Sequence, residues 1–269
     1  MEAFHHKLCS LQFLDPACGC GNFLVIAYRE LRLLEIDVVR ELAGGSGGQQ
    51  LLPIVNVDQF HGIELFEWPV RIAEVALWLM DHQMNLQGSE VFGQPIDRLP
   101  LTTSPHIVQA NALRINWDDV LPCNECSYVL GNPPYAGKQF RNANQRSDME
   151  VVWRGVRGAG VLDYVTCWYR RAAEYVSGTR AKIAFVSTNS ITQGEQVGIL
   201  WGELFQRYHV KIQFATERSR GRAKPVVERM STWSSSVSER ATCLESGSSI
   251  MKQPSVNRTR FPETTSRLI

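Results

Sequence analysis

The sequence lacks the long apolar runs and the leader segment that membrane and exported proteins carry. No stretch of its 269 residues reaches the ~18 consecutive apolar residues that a membrane-spanning helix needs. The first residues, MEAFHH, have neither the basic region nor the apolar region of a secretory signal peptide. The sequence therefore predicts a protein of the cytoplasm that has no membrane partner.

A strong net charge is lacking as well. The formal net charge is +1, which excludes a global attraction to nucleic acid but leaves a local basic face open. The seven cysteines are scattered and odd in number, which favours reduced thiols over a disulfide framework. Cys123 and Cys126 form a CxxC pair, but no second such pair and no histidine pair lies at zinc-ligand spacing. We predict no metal site.

Short apolar segments of strand type alternate with segments of helical spacing along most of the chain. The strand-like segments are residues 11–14, 60–65, 107–113, 127–130, 182–187 and 210–215. After the first of them, Leu24, Leu31 and Val38 recur at helical intervals. This alternation predicts an α/β fold with a doubly wound, mostly parallel sheet.

A glycine-rich turn, DPACGCGNF at residues 15–23, joins the first strand to this helix. Gly19 and Gly21 let the backbone approach a ligand closely, and the following helix offers free N–H groups at its first turn. The three-glycine dinucleotide fingerprint is absent. The Asp15 carboxylate would repel a pyrophosphate and attract an amine, so the turn predicts a small nucleoside ligand with an amino-acid tail. The alternative is a turn that binds no nucleotide.

A second turn, GNPPY at residues 131–135, follows the fourth strand. Neither proline can donate a ladder hydrogen bond, so the chain must leave the sheet here. The turn presents the amide of Asn132, free carbonyls and the ring of Tyr135. This combination is suited to binding the amino group of a planar base. The alternative is an ordinary turn that ends a strand.

Further polar residues fall at the carboxyl ends of predicted strands, the edge where open parallel sheets bind ligands. Glu64 ends the second strand, where an acid accepts hydrogen bonds from ribose hydroxyls. Asn111 ends the third and could bond an adenine edge, although an Asx-turn explains it equally well. Together with the two turns, these residues predict a single site.

Two later segments differ in composition from the predicted domain. Residues 136–160 contain Lys138, Arg141, Arg146, Arg154 and Arg157, and we interpret them as a mobile loop that either meets phosphates or is merely solvated. Residues 216–269 are rich in Ser, Thr and Arg and lack periodic apolar positions. We therefore predict a partial catalytic domain over residues 1–215 and an aberrant or disordered tail over residues 216–269.

The two turns together resemble the signature motifs of N6-adenine DNA methyltransferases. The flanking segments at residues 62–64, 111–113 and 162–169 resemble the MmeI-like, type II restriction–modification branch, and the likeness covers residues 13–215. It implies a Rossmann-like class I methyltransferase fold that binds S-adenosyl-L-methionine, here incomplete at both ends. It also implies site-specific methylation of double-stranded DNA at adenine N6. The region that recognises the DNA sequence would then lie in a separate or downstream segment. For the tail, a shift of the reading frame is our hypothesis.

The resemblance also implies roles for individual residues. The cofactor-binding residues would be Asp15, Ala17, Gly19, Gly21, Phe23, Glu64, Leu65, Asn111 and Ala112. The catalytic residues would be Asn132, Pro133, Pro134 and Tyr135. Two alternatives stay open: a methyltransferase acting on RNA or on a protein amide nitrogen, and an inactive truncated remnant of a DNA methyltransferase.

Overall fold

The computed structural model describes residues 1–45, 53–96, 104–217 and 266–268. The chain divides into two compact units. The first comprises Met1–Pro133 and Gly178–Ala184, and the second comprises Pro134–Ser177 and Phe185–Ile269. The predicted boundary at residue 215 stays a prediction, because most of the predicted tail lies outside the described residues.

The first unit is a parallel sheet with helices. Its helices are α1 (Glu2–Cys9), α2 (Asn22–Gly45) and α3 (Glu67–Phe92). Its strands are β1 (Phe13–Asp15), β2 (Phe60–Glu64), β3 (His106–Gln109), β4 (Tyr128–Gly131) and the start of β5 (Lys182–Thr188). The strand order is β3-β2-β1-β4-β5, and β1 pairs in parallel with both β2 and β4 while β2 pairs in parallel with β3. The predicted doubly wound α/β fold is confirmed.

Aromatic side chains on neighbouring strands form the centre of this unit's core. The ring of Phe13 stacks on Phe60 at 4.8 Å and on Tyr128 at 5.4 Å. This packing joins the amino-terminal ends of β1, β2 and β4. On α2, Leu24, Leu31 and Val38 are buried, as their helical spacing predicted, and Tyr28 is fully buried one turn after Leu24.

A buried polar cluster joins α1 to α2. His5 Nε2 lies 3.1 Å from Oε1 of Glu35, and Cys9 Sγ lies 3.9 Å from the same oxygen. This trio has the composition of a metal site. However, Glu35 Oε1 also accepts the N–H groups of Ile54 and Val55, and Oε2 lies 3.6 Å from Arg32 Nε. Oε1 is thus already occupied by hydrogen-bond donors and Oε2 faces a cation, so we interpret the cluster as an anchor for α1.

Helix α3 is apolar on two sides. One side is buried in the core through Val70, Ala73, Leu77 and Met84. The other side is exposed to solvent and carries a strip of large apolar side chains at intervals of three, four and seven residues, namely Trp68, Ile72, Val75, Leu79 and Leu86.

None of the helices in the described ranges combines the length and apolar character needed to cross a membrane.

The second unit contains α4 (Ala143–Val152), α5 (Thr166–Tyr175), α6 (Gln196–Gly202) and the rest of β5. Tyr169 of α5 lies edge-on to Phe185 of β5, with ring centroids 5.4 Å apart, and to Trp201 of α6 at 6.1 Å. Two short strands, β6 (Thr216–Glu217) and β7 (Ser266–Leu268), are antiparallel to each other, and β7 is antiparallel to β5.

Two secondary-structure predictions for this unit are wrong. Residues 210–215, predicted as a strand, carry no regular structure, and β6 begins only at Thr216. Within residues 136–160, predicted as a mobile loop, α4 forms behind a capping box in which Asn142 and Gln145 exchange side-chain and backbone hydrogen bonds. Capping offsets the weak apolar periodicity of this short helix.

Candidate active site

The ends of β1 and β4 meet at Asp15 and Gly131. Asp15 is buried, and its Oδ1 accepts the N–H of Ala17 at 3.0 Å. A Cβ atom on Gly131 would lie 2.9 Å from Cγ of Asp15 and closer still to Oδ1, and Gly131 has a φ of +151°. Only glycine therefore allows the strand that leads into Asn132 to pass this closely over the carboxylate. The two turns singled out in the sequence are thus in direct contact.

The glycine turn is fixed to the end of β2 by Glu64. The carboxylate accepts the N–H of Gly19 at 3.1 Å through Oε2 and the N–H of Phe66 at 3.0 Å through Oε1. The backbone of Cys18 adds a bond to the carbonyl of Ile63 at 3.1 Å. Gly19 has a φ of +55°, and the space where its Cβ would stand is open. Its backbone therefore presents an uncovered face at the sheet edge.

Gly21 serves a different purpose from Gly19. A Cβ at Gly21, where φ is +80°, would lie 2.9 Å from Cβ of Ala73 on α3, so glycine here permits the close packing of the turn on that helix. Phe23 is the second residue of α2 and is half-buried. The N–H of Ala17 is already used by Asp15. Of the predicted cofactor residues in this turn, Gly19 has open space beside its backbone, whereas Asp15 is buried beneath Gly131.

Burial raises the pKa of Asp15 to about 7; the hydrogen bond from Ala17 opposes this shift, and the charge of Glu64 adds to it. Near neutral pH the carboxyl group is therefore divided between its neutral and ionised forms. A cation placed beside it would favour the ionised form.

We expect Asp15→Asn to change the pH dependence of stability. The folded-state pKa lies above the ordinary value of 3.8, so stability is greatest below that value and is lost as the pH rises through 7. The amide cannot ionise, and the variant should gain about 2 kcal/mol relative to the parent between pH 5 and pH 8. Denaturant unfolding at the two pH values measures the difference.

Asp37→Asn is the matched control, because Asp37 is exposed on α2 and its side chain keeps 70% of its accessible surface. The control should follow the parent at both pH values. Parallel stability curves for the parent and Asp15→Asn would contradict the assigned pKa.

Three predicted residues lie beside the ends of β2 and β3. Asn111 Oδ1 accepts the N–H of Leu113 at 2.9 Å, which is the Asx-turn that the sequence left open. The carbonyl of the buried Ala112 accepts the indole N–H of Trp117 at 2.8 Å. Leu65 is 51% exposed directly after Glu64. These residues lie at the same sheet edge as the glycine turn, because the N–H of Ala110 bonds the carbonyl of Glu64 at 2.8 Å.

The division between the two units falls within the GNPPY turn. Asn132 and Pro133 belong to the first unit with Asp15, and Pro134 and Tyr135 belong to the second. Pro133 is buried, whereas the other three side chains are exposed. Asn132, the polar residue that the sequence singled out, is therefore exposed on the surface.

The second unit holds the residues that follow Tyr135. The carbonyl of Ala136 accepts the N–H of Tyr164 at 2.9 Å. Asp163 and Gln196 exchange two hydrogen bonds, of 3.1 Å and 3.0 Å, and Gln196 also donates to the carbonyl of Ser190 at 2.9 Å. Sequence reasoning gave Asp163 and Gln196 no role, since nothing in their spacing connects them.

This parallel sheet, with a glycine turn after β1, an acid at the end of β2 and a GNPPY turn after β4, defines a Rossmann-like class I methyltransferase domain. A family model described as MmeI, DNA-methyltransferase domain, matches residues 1–223. The chain belongs to this family.

Two known proteins are similar to the chain. DNA methyltransferase A of Bacillus subtilis (strain 168) is 44% identical over 218 residues, which are 80% of this chain and 25% of that protein. A solved structure of the Type IIL restriction-modification enzyme MmeI in complex with DNA is 42% identical, with a TM-score of 0.78 over 99% of this chain and 32% of that one. The chain thus spans about a quarter to a third of the length of these relatives.

Proposed function

We propose that the chain is the catalytic part of a restriction–modification DNA methyltransferase that transfers a methyl group from S-adenosyl-L-methionine to adenine N6 in double-stranded DNA. The observation that carries this proposal is the packing of Gly131 on Asp15. This packing supports the proposal because Asn132, the residue that would bind the base, directly follows Gly131 and so lies close to the glycine turn that would bind the cofactor. Both relatives are DNA-modifying enzymes by name, and this supports the substrate class.

The residues of the glycine turn fit this cofactor. The uncovered backbone at Gly19 gives room for it, and Asp15, whose pKa is raised to about 7, gains its charge most readily beside a cationic amine. One oxygen of Glu64 accepts the N–H of Gly19 and the other accepts the N–H of Phe66, so a lone pair on each oxygen remains for ribose hydroxyls. When bound, the cofactor supplies an activated methyl group on its sulfonium.

The GNPPY turn would receive the target base. Adenine N6 is a poor nucleophile because its lone pair is delocalised into the ring. The side-chain oxygen of Asn132 and the carbonyl of Pro133 would each accept one N6–H, which favours a tetrahedral nitrogen and stabilises its developing charge. Tyr135 would stack on the base after it leaves the duplex, and Pro134 keeps the turn rigid.

The proposed function predicts which polymer is labelled by a tritiated methyl donor. We expect the label to enter double-stranded DNA and to appear as N6-methyladenine after nuclease digestion and mass spectrometry. Equal amounts of RNA and of protein in parallel reactions test the alternative substrates. Labelling of RNA or protein alone would overturn the proposal, and label in N4-methylcytosine would overturn the assignment of adenine.

The remnant alternative requires a separate measurement. A folded cofactor site is stabilised by mass action, by about 2.7 kcal/mol at a ligand concentration of 100 times Kd. A thermal shift with S-adenosyl-L-methionine, together with no labelling of any polymer, would support a binding remnant over an enzyme.

The proposal includes a cytoplasmic location, with which the six free cysteines in the described part of the chain are consistent.

A further inference from the structure

Phe140 is a large apolar side chain in water, close in sequence to the GNPPY turn. It is 83% exposed, the highest value among the large hydrophobic side chains in the described ranges. It lies five residues after Tyr135 and in the same unit. No neighbour buries the ring, so packing within the described chain does not account for a phenylalanine here.

The backbone beneath Phe140 is held firmly. Lys138–Phe140 forms a 3-10 turn in which the N–H of Phe140 bonds the carbonyl of Gly137 at 2.9 Å. The next residue, Arg141, is 7% exposed and donates to the carbonyls of Gly160 at 3.0 Å and of Lys138 at 3.5 Å. This buried arginine therefore fixes the turn and is not a phosphate contact. The exposed ring is therefore attached to a backbone turn that hydrogen bonds hold in place.

The exposed charges of the segment that contains this turn are mainly positive, although the carboxylate of Asp163, which accepts a hydrogen bond from Gln196, lies beside Gly137. Among residues 136–160 the exposed charged side chains are four cations and one carboxylate, namely Lys138, Arg146, Arg154, Arg157 and Glu150. The other acid of the segment, Asp148, is buried and accepts the hydroxyl of Tyr164 at 2.8 Å. An exposed aromatic ring among cations suits a polyanion that also offers stacking surfaces, which is the chemistry of a nucleic acid.

We propose that Phe140 inserts into the DNA duplex and fills the gap that the target adenine leaves when it rotates out of the stack. This inference rests on the proposed function. Extrusion of a base costs its stacking and pairing energy, and an apolar side chain inserted at the step restores part of the stacking. Phe140 can take this role because its ring is exposed and its backbone is held in a hydrogen-bonded turn, and the exposed cations of residues 136–160 would contact the phosphates.

The test compares Phe140→Ala with the parent on matched substrates. The target site is first mapped by sequencing DNA that the parent has methylated, and duplexes are then made with the target adenine either paired or mispaired. On the paired duplex we expect Phe140→Ala to lower the methylation rate roughly 10- to 100-fold, the effect of losing one base–aromatic stack. On the mispaired duplex, where extrusion is easier, the loss should be several-fold smaller.

Two further variants separate stacking from folding. Phe140→Trp keeps a stacking ring and should retain most of the activity, and Phe214→Ala, a change at an aromatic residue that is 42% exposed in the same unit, should behave as the parent. Equal denaturation midpoints for all variants would confirm that the fold is unchanged.

The outcomes distinguish this inference from the function on which it rests. A parent that methylates no DNA would overturn the proposed function and the insertion with it. A parent that is active together with a Phe140→Ala variant that is equally active on the paired duplex would overturn the insertion alone. An equal loss on paired and mispaired duplexes would overturn it as well, because the defect would then not lie in extrusion.

Discussion

Replacement of Asn132 by alanine is expected to lower methyl transfer to DNA by at least about 100-fold, the typical cost of removing one preorganised polar contact to a developing charge. The side chain is exposed at the end of β4, so the free energy of unfolding should change by less than about 0.5 kcal/mol. Cofactor affinity should also be retained, because the residues assigned to the cofactor are unaltered. Tritium incorporation, calorimetric titration with the cofactor and denaturant unfolding measure the three quantities.

Asn124→Ala is the control for this change, because Asn124 is an exposed asparagine of the same unit outside both turns. It should retain the parent's rate. Asn132→Asp keeps an acceptor oxygen at the same place, and we expect it to recover part of the activity that alanine loses. Full activity of Asn132→Ala would remove this residue from the proposed mechanism.

The second large effect is expected at Gly131, where a substitution should lower both the stability of the protein and its rate of methyl transfer. In Gly131→Ala the new Cβ would overlap the buried carboxylate of Asp15, at a φ of +151° that other residues rarely adopt. Backbone strain of this kind costs about 1–3 kcal/mol, and the overlap adds to that cost. We expect the free energy of unfolding to fall by at least about 2 kcal/mol. The displacement of Asp15 should weaken cofactor binding at the same time.

A double-mutant cycle attributes this loss to the contact itself. Removal of the carboxylate in Asp15→Ala makes room for the new methyl group, so the double variant should be less destabilised than the sum of the two single changes. Gly202→Ala, at the end of α6 where the space for a Cβ is open, should not destabilise the protein. Strict additivity of the two changes would show that Gly131 and Asp15 do not interact.

The sequence allowed those parts of the site that depend on local rules to be predicted. Two prolines after a strand force a turn, and glycines between a strand and a helix leave the backbone uncovered, so both turns and their shared sheet edge could be expected. The contact of Gly131 with Asp15 could not, because it depends on the pairing of β1 with β4, which brings together residues far apart in sequence. The same holds for Asp163 and Gln196, which are 33 residues apart.

Residues 136–160 show how side-chain chemistry alone misleads. Weak apolar periodicity predicted a mobile loop here, and the five basic residues predicted phosphate contacts or a solvated surface, yet Arg141 is buried and uses its guanidinium to hold carbonyl groups. The capping pair Asn142 and Gln145 was visible in the sequence and would have indicated a helix start. In a helix of only 10 residues, this capping pair is a stronger signal than apolar periodicity.

The apolar strip on α3 has a consequence for how this chain behaves in solution. Its side chains, from Trp68 to Leu86, lie on one exposed face of the helix, and contact between two such faces removes apolar surface from water at about 25 cal/mol per Å². Association of this kind increases with protein concentration, and salts that are excluded from the protein surface, such as sulfate, strengthen it. We therefore expect this chain to associate least in dilute buffer without sulfate.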